Sequence, residues 1–267
     1  MRHRLTTRHD GGVAAGLELP STLLCCCWLW LPAAGAGGGG GSRVLAGEPV
    51  DISEFPWQVS VEYVGAHRCG GSVVSAGWVM TNAWCVVGGN PVYYLLRVGT
   101  STRGSGGDTY NASRLLWHED FDNAISDKDI GFFEVSEAIW FDDNVQPVAL
   151  AEEEPSAGSQ VTVSGWGSVD AGQGYPVQLH AVNTTVLDRD ACNATFEGQL
   201  ITEDKICTAG PDGGLDYCNG DYGGPLVANG TQYGVVSWGY GCYYPQYPGV
   251  YTNVASLRSW INDTIGV

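Results

Sequence analysis

Nine cysteines, five histidines and five Asn-x-Ser/Thr triplets carry the chemistry that can be read in this 267-residue chain before any fold is assigned. Three cysteines, Cys25 to Cys27, fall in an apolar run near the start. The other six, Cys69, Cys85, Cys192, Cys207, Cys218 and Cys242, form an even set that suits three disulfides in an oxidising compartment. No C-x-x-C pair or His-rich spacing suggests a zinc site, so no metal or cofactor is expected. His67, His118 and His180 are the histidines beyond the first segment, and each reads as an ordinary structural or surface residue. Asn111, Asn183, Asn193, Asn229 and Asn262 open the sequons, and five of them imply a secreted glycoprotein.

The amino-terminal segment agrees with secretion. Arg2, Arg4 and Arg8 form a basic region, Leu23 to Leu31 is an apolar run too short for a membrane span, and Ala34-Gly35-Ala36 offers a cleavage site. Residues 1–36 are therefore read as a signal-peptide-like leader. Residues 37–43, with the tract Gly37 to Gly41, are read as a Gly-rich propeptide spacer. Whether the leader is removed, or kept as an anchor through acylation of Cys25 to Cys27, stays open. The chain has a net charge of −17. Four arginines (Arg2, Arg4, Arg8, Arg43) and two acids (Asp10, Glu18) lie in the first 43 residues, leaving −19 for the remainder. So acidic a surface repels phosphate backbones and anionic lipid, which excludes nucleic acid and membrane as main partners.

The elements that must position any site are strands. Thirty-nine glycines and frequent Trp and Tyr suit a β-rich protein with tight turns. Alternating, β-branched runs recur at Trp57–Val61, Gly71–Val74, Gln160–Val163 and Tyr233–Trp238. One helix is expected, over Ala255–Ile265, where Leu257, Trp260, Ile261 and Ile265 share a face. The fold class is all-β, a sandwich or barrel system.

A series of short motifs lies in one order along Val44–Val267. They are Phe55-Pro56-Trp57-Gln58-Val59, Cys69-Gly70-Gly71-Ser72, Gly77-Trp78-Val79-Met80-Thr81 and Asp129-Ile130. Then come Ser164-Gly165-Trp166-Gly167, Cys218-Asn219-Gly220-Asp221-Tyr222-Gly223-Gly224-Pro225-Leu226, Ser237-Trp238-Gly239-Tyr240-Gly241-Cys242 and Pro248-Gly249-Val250-Tyr251-Thr252. In these the sequence resembles the chymotrypsin/trypsin family of serine proteases, and invertebrate trypsins in particular. The resemblance implies two perpendicular six-stranded antiparallel barrels, divided near residue 145, with a C-terminal helix and an active site in the cleft between them. It implies the bridges Cys69–Cys85, Cys192–Cys207 and Cys218–Cys242. A fourth family bridge falls on Val161 and Ala228 and is lost as a pair.

The same resemblance locates the catalytic triad, and two of its three positions have changed. Serine proteolysis needs a hydroxyl nucleophile, an imidazole base and a carboxylate that orients the imidazole. Asp129 matches the carboxylate, but the histidine position holds Trp84 and the nucleophile position holds Tyr222. An indole has no basic nitrogen, and a phenol is a weak nucleophile near neutral pH. Asp129 is expected to be held by backbone N–H groups and Ser237, with the Trp84 indole N–H donating to it. Gly220 and Tyr222 mark the oxyanion loop. Arg43, Val44 and Asp221 match an activation site at which cleavage would free the Val44 amine to pair with Asp221. Asp216, Gly239 and Gly249 match a pocket for Arg or Lys, and whether Tyr222 covers it stays open. Tyr240, Tyr243, Tyr244 and Tyr247 are expected as an aromatic patch around that pocket.

The expected function is a secreted, catalytically inactive trypsin homologue that binds a protein as decoy, cascade cofactor or inhibitor. The expected partner is a protein, with an Arg/Lys-bearing segment or a protease inhibitor as candidates, and the sequence leaves the oligomeric state open. The rivals are an active endopeptidase cleaving after Arg or Lys and a structural or storage glycoprotein.

Overall fold

The computed structural model describes residues 47–168, 174–196, 201–210, 216–240, 244 and 247–267. After the short strand β1 (Glu48–Pro49) come β2 (Gln58–Tyr63), β3 (Ala66–Ser75), β4 (Trp78–Thr81), β5 (Tyr94–Val98), β6 (Asp108–Trp117) and β7 (Gly131–Val135). Strands β2 to β7 close into a barrel in the order β2-β3-β4-β7-β6-β5. Its interior comes from period-2 patterning: in β5, Tyr94, Leu96 and Val98 are buried while Leu95 and Arg97 are half-buried. Val59, Val61, Val73, Val79 and Phe133 fill the rest of that core.

Next are β8 (Ala149–Leu150), β9 (Gln160–Gly165), β10 (His180–Val186), β11 (Lys205–Ala209), β12 (Pro225–Ala228), β13 (Thr231–Trp238) and β14 (Gly249–Asn253). The path β10-β11-β14-β13-β12-β9 returns to β10 through the β9–β10 pairing, which closes a second six-stranded antiparallel barrel, with β1 and β8 as attachments. Val161, Val163, Ile206, Leu226, Val236 and Tyr251 line it. Val74, Met80 and Phe132 of the first barrel meet Val227 and Val235 of the second in one buried cluster. Ser72 Oγ donates to Gln232 Oε1 at 2.7 Å and Ser164 Oγ to Gln58 Oε1 at 2.6 Å, which gives this junction polar pins.

Among the described residues the α-helices are short: α1 (Ala83–Val86), α2 (Arg189–Thr195) and α3 (Arg258–Ile265). The C-terminal helix starts three residues later than the sequence pattern suggests. Asn253 Oδ1 accepts from Ala255 N–H and Ser256 Oγ donates to Asn253 O, so local side chains hold Ala255–Leu257 as a turn. The sequence reading passed over α2, although Asp188 caps it by accepting from Ala191 N–H.

The bridges Cys69–Cys85 and Cys192–Cys207 are both formed. Each closes a loop of 15 or 16 residues, worth about 3 kcal/mol in the chain-entropy account. Cys218 is also disulfide-bonded, while its expected partner Cys242 lies outside the described residues. Val161 and Ala228 pack in one apolar cluster where the fourth bridge is missing.

Candidate active-site cleft

Trp84 is placed by the single turn α1. Asn82 caps that turn, its Oδ1 accepting from Cys85 N–H at 3.1 Å, and the Cys69–Cys85 bridge ties the turn to β3. The indole is 45% exposed and faces Tyr222, with ring centroids 5.8 Å apart.

Asp129 lies just before β7 and is fully buried. Its donors come from three places. Ser237 Oγ donates at 2.6 Å, the Trp84 backbone N–H at 3.0 Å and Asn82 Nδ2 at 3.1 Å. The Ser237 contact follows from a register shift in β13 between Val236 and Trp238, which turns Ser237 out of the ladder toward the carboxylate. Thr252 Oγ1 donates to the Asp129 carbonyl, so the second barrel grips this residue twice. The Trp84 contribution is its amide, not the indole N–H expected from the sequence. The indole lies instead against the Tyr222 ring, outside the buried cage. Asn82 was missed as well; its preference for helix N-caps was the available signal. Burial raises the Asp129 pKa to about 6 against the lowering by its hydrogen bonds.

Tyr222 packs on both barrel cores and sends its hydroxyl 3.2 Å to Asn219 Oδ1. Burial pushes its pKa up, with Asp221 and Tyr175 adding to the effect. Gly220 and Gly223, beside it, have φ of 102° and 83°, a region that favours glycine. The Gly220 carbonyl accepts from His67 Nε2 at 3.0 Å, and Ser60 Oγ donates to His67 Nδ1 at 2.8 Å. Burial lowers the His67 pKa to about 4, so the ring is neutral at pH 7. His118 stacks on Trp260 at 4.6 Å, and His180 lies on β10 paired with Gly165.

The residue after Asp216 changes the pocket. Tyr217 is buried, with its hydroxyl on the Trp238 carbonyl and 3.3 Å from both the Val250 carbonyl and the Val250 N–H. A Cβ on Gly249 would come within 2.7 Å of its ring. Tyr217 thus takes up the space that small glycine walls would leave for a long side chain. Its ring meets Tyr222 at 6.3 Å and Tyr251 at 5.3 Å. Trp84, Tyr222, Tyr217 and Tyr251 therefore form one line of rings from solvent to core. The motif positions drew attention to Tyr222 and Trp84 at the pocket mouth and gave Tyr217 no role, although it directly follows Asp216.

Asp216 is buried, with Oδ2 accepting from Thr208 Oγ1. The Thr184 and Tyr251 hydroxyls act on the same carboxylate, and with Thr208 they favour its charged form. Burial raises the Asp216 pKa to about 6. Asp221 accepts from Gly167 N–H at 2.7 Å and Cys218 N–H at 3.0 Å, and burial lifts it likewise to about 6. A Cβ on Gly165 or Gly167 would collide with its oxygens. Arg43 and Val44 lie outside the described residues, as does Tyr243. Gly239 follows β13 and is half-buried. Tyr240 and Tyr247 stack on Phe196, and Tyr244 meets both tyrosines edge-on. Of the sequon residues, Asn111, Asn183, Asn229 and Asn262 are exposed, and Asn193 is half-buried with its Oδ1 accepting from Ile201 N–H.

Two closed six-stranded barrels, with a caged aspartate where they meet, are the architecture of a chymotrypsin-type serine protease domain. The chain belongs to the trypsin family: the family model described as Trypsin matches residues 44–261. A vitellin-degrading protease of Bombyx mori is 40% identical over 226 residues, which span 84% of this chain and 86% of that protein. Trypsin delta of Drosophila melanogaster is 39% identical over 222 residues, 82% of this chain and 87% of that one. Among solved structures, neuropsin, a serine protease expressed in the limbic system of mouse brain, superimposes with a TM-score of 0.76 at 30% identity. That match covers 82% of this chain and 98% of neuropsin.

Proposed function

We propose that this chain is a secreted trypsin-family member without peptidase activity, acting by binding another protein. The observation that carries this reading is the line of rings in the cleft. Trp84 and Tyr222 stand at the positions of base and nucleophile, and they pack on each other at 5.8 Å. Neither side chain can accept and return a proton near neutral pH. The Tyr222 hydroxyl is spent on Asn219, and its pKa is raised rather than lowered. His67 is engaged by Ser60 and the Gly220 carbonyl, and His118 stacks on Trp260, which counts against either as a substitute base.

Tyr217 extends the reading to substrate binding. A chain that cannot admit Arg or Lys beside Asp216 loses the contact that fixes the scissile bond, so its binding rests on the rim of the cleft. The sequons and the leader-like start support secretion. Decoy, cascade cofactor and inhibitor are the roles compatible with binding alone.

The relatives' names, trypsin and vitellin-degrading protease, describe those proteins and keep an active endopeptidase as the rival. The test is hydrolysis of Arg- and Lys-terminated chromogenic peptides after cleavage behind Arg43. No turnover is expected. Turnover that follows the protein through purification and is lost in Asp129→Ala would overturn the reading.

A further inference from the structure

From Tyr63 to Gly107 the chain contains no Asp or Glu, in a protein with 29 of them. The same stretch carries Arg68, Arg97 and Arg103. Arg97 pairs with Glu62 at 2.7 Å, and Arg103 donates to the carbonyls of Tyr175 and Pro176. Arg68 is different. It is exposed, has no ion pair among the described residues, and lies between two rings, 5.1 Å from the Tyr63 centroid and 5.3 Å from that of Trp84. Two aromatic faces hold a guanidinium in place while its N–H edges stay open to an incoming carboxylate.

The surroundings of Arg68 are apolar and open. Tyr63 meets Tyr93 at 6.0 Å. Val64, Val92 and Tyr93 are 70%, 72% and 52% exposed. Val64 is also strained. Val64 and Gly65 form the two-residue turn between β2 and β3 with φ of 52° and 77°, a turn that favours Asn-Gly. A β-branched residue at positive φ is a genuine outlier. Burial does not explain it, because the side chain is in solvent. Strain held at an exposed position points toward a surface used for contact.

We propose that Tyr63, Val64, Arg68, Trp84, Val92 and Tyr93 form a docking surface for an extended acidic segment of a partner protein. A carboxylate of that segment pairs with Arg68, and its apolar side chains cover Val64, Val92 and Tyr93. This rests on the binding role proposed above. Charge complementarity selects the occupant: along Tyr63–Gly107 the rim withholds acid in an acidic molecule, and it offers a cation with no ion pair among the described residues. A basic segment would meet Arg68 with like charge and find no carboxylate along Tyr63–Gly107.

The test is fluorescence anisotropy on the full chain. The probes are labelled decapeptides alternating Glu with Phe or Leu, and counterparts with Lys for Glu. The Glu peptides are expected to bind, and to weaken as salt rises. The Lys peptides are expected not to bind. Arg68→Glu should cost about tenfold or more in affinity. Val64→Asn should weaken binding while raising Tm by roughly 2–4 °C, as relief of strain in a domain of this size would. Equal binding of both peptide sets, or an unchanged affinity in Arg68→Glu, overturns the proposal. So does self-association abolished by Arg68→Glu without binding of Glu peptides, which would assign the surface to a second copy. Peptide hydrolysis by the wild type would instead overturn the inactive reading, while the anisotropy result would stand.

Discussion

Asp129 and Asp216 are both fully buried, and desolvation lifts each to a pKa of about 6. Asp129 is caged by Ser237, Asn82 and the Trp84 amide, and its own carbonyl takes a bond from Thr252. Asp216 is met mainly by side-chain hydroxyls, Thr208 on Oδ2 with Thr184 and Tyr251 acting on the same carboxylate. The two carboxylates match positions with opposite duties in the family resemblance, one serving catalysis from behind and one receiving substrate. Their surroundings show what each does in the fold itself. Asp129 joins α1, the first barrel and the second, so its place in the fold does not depend on an imidazole. Asp216 is held by hydroxyls of the second barrel beside the Tyr217 ring. A retained catalytic carboxylate is thus weak grounds for retained catalysis, because the fold has its own use for it.

The strongest way to sharpen this contrast is to rebuild the chemistry around it. After cleavage behind Arg43, Trp84→His with Tyr222→Ser should remain nearly inert, because Tyr217 still fills the pocket. Adding Tyr217→Ser should raise hydrolysis of Arg-terminated chromogenic peptides by roughly a thousandfold or more. A double variant as fast as the triple would place the block elsewhere than Tyr217.

Stability separates the two carboxylates next. Asp129→Ala strands two side-chain donors and an amide, a loss of about 3 kcal/mol or more in urea unfolding. Asp216→Asn should lie within about 1 kcal/mol of wild type at pH 7, since it removes a desolvated charge while its amide oxygen still accepts from the neighbouring hydroxyls. Similar losses at both sites would dissolve the comparison.

The smallest expected effect is in pH dependence. The folded-state pKa of Asp216 is raised, so its contribution is fully present below its ordinary value of 3.8 and is lost as pH rises through about 6. Asp129 and Asp221 act in the same direction. His67, depressed to about 4, acts oppositely: its contribution is present above 6.5 and is lost as pH falls through about 4. Asp216→Asn should therefore gain on wild type as pH goes from 4 to 7. A constant difference across urea titrations over that range would contradict the assigned shift.

Much of the fold was legible because its signals are local. Period-2 patterning marks the strands, while the two-barrel arrangement and the pairing of the two bridges described in full came from the family resemblance that the ordered motifs carry. The start of α3 was misjudged because Asn253 and Ser256 redirect backbone hydrogen bonds that apolar periodicity does not register. At the cleft, position in the motifs located Trp84, Asp129 and Tyr222. The direction of side chains was not available from them. The Trp84 amide reaches Asp129 while the indole faces Tyr222, and that follows from the capped turn of α1. Tyr217 escaped notice because its effect depends on a strand pairing, β13 with β14, that puts Trp238 and Val250 opposite its hydroxyl.

Benzamidine calorimetry asks whether the protein's own rings fill the cleft. An open pocket would hold the amidinium on Asp216 through a charge-assisted bidentate contact. No binding heat is expected with wild type, and clear binding with Tyr217→Ser. Wild-type binding that disappears in Asp216→Ala would contradict it.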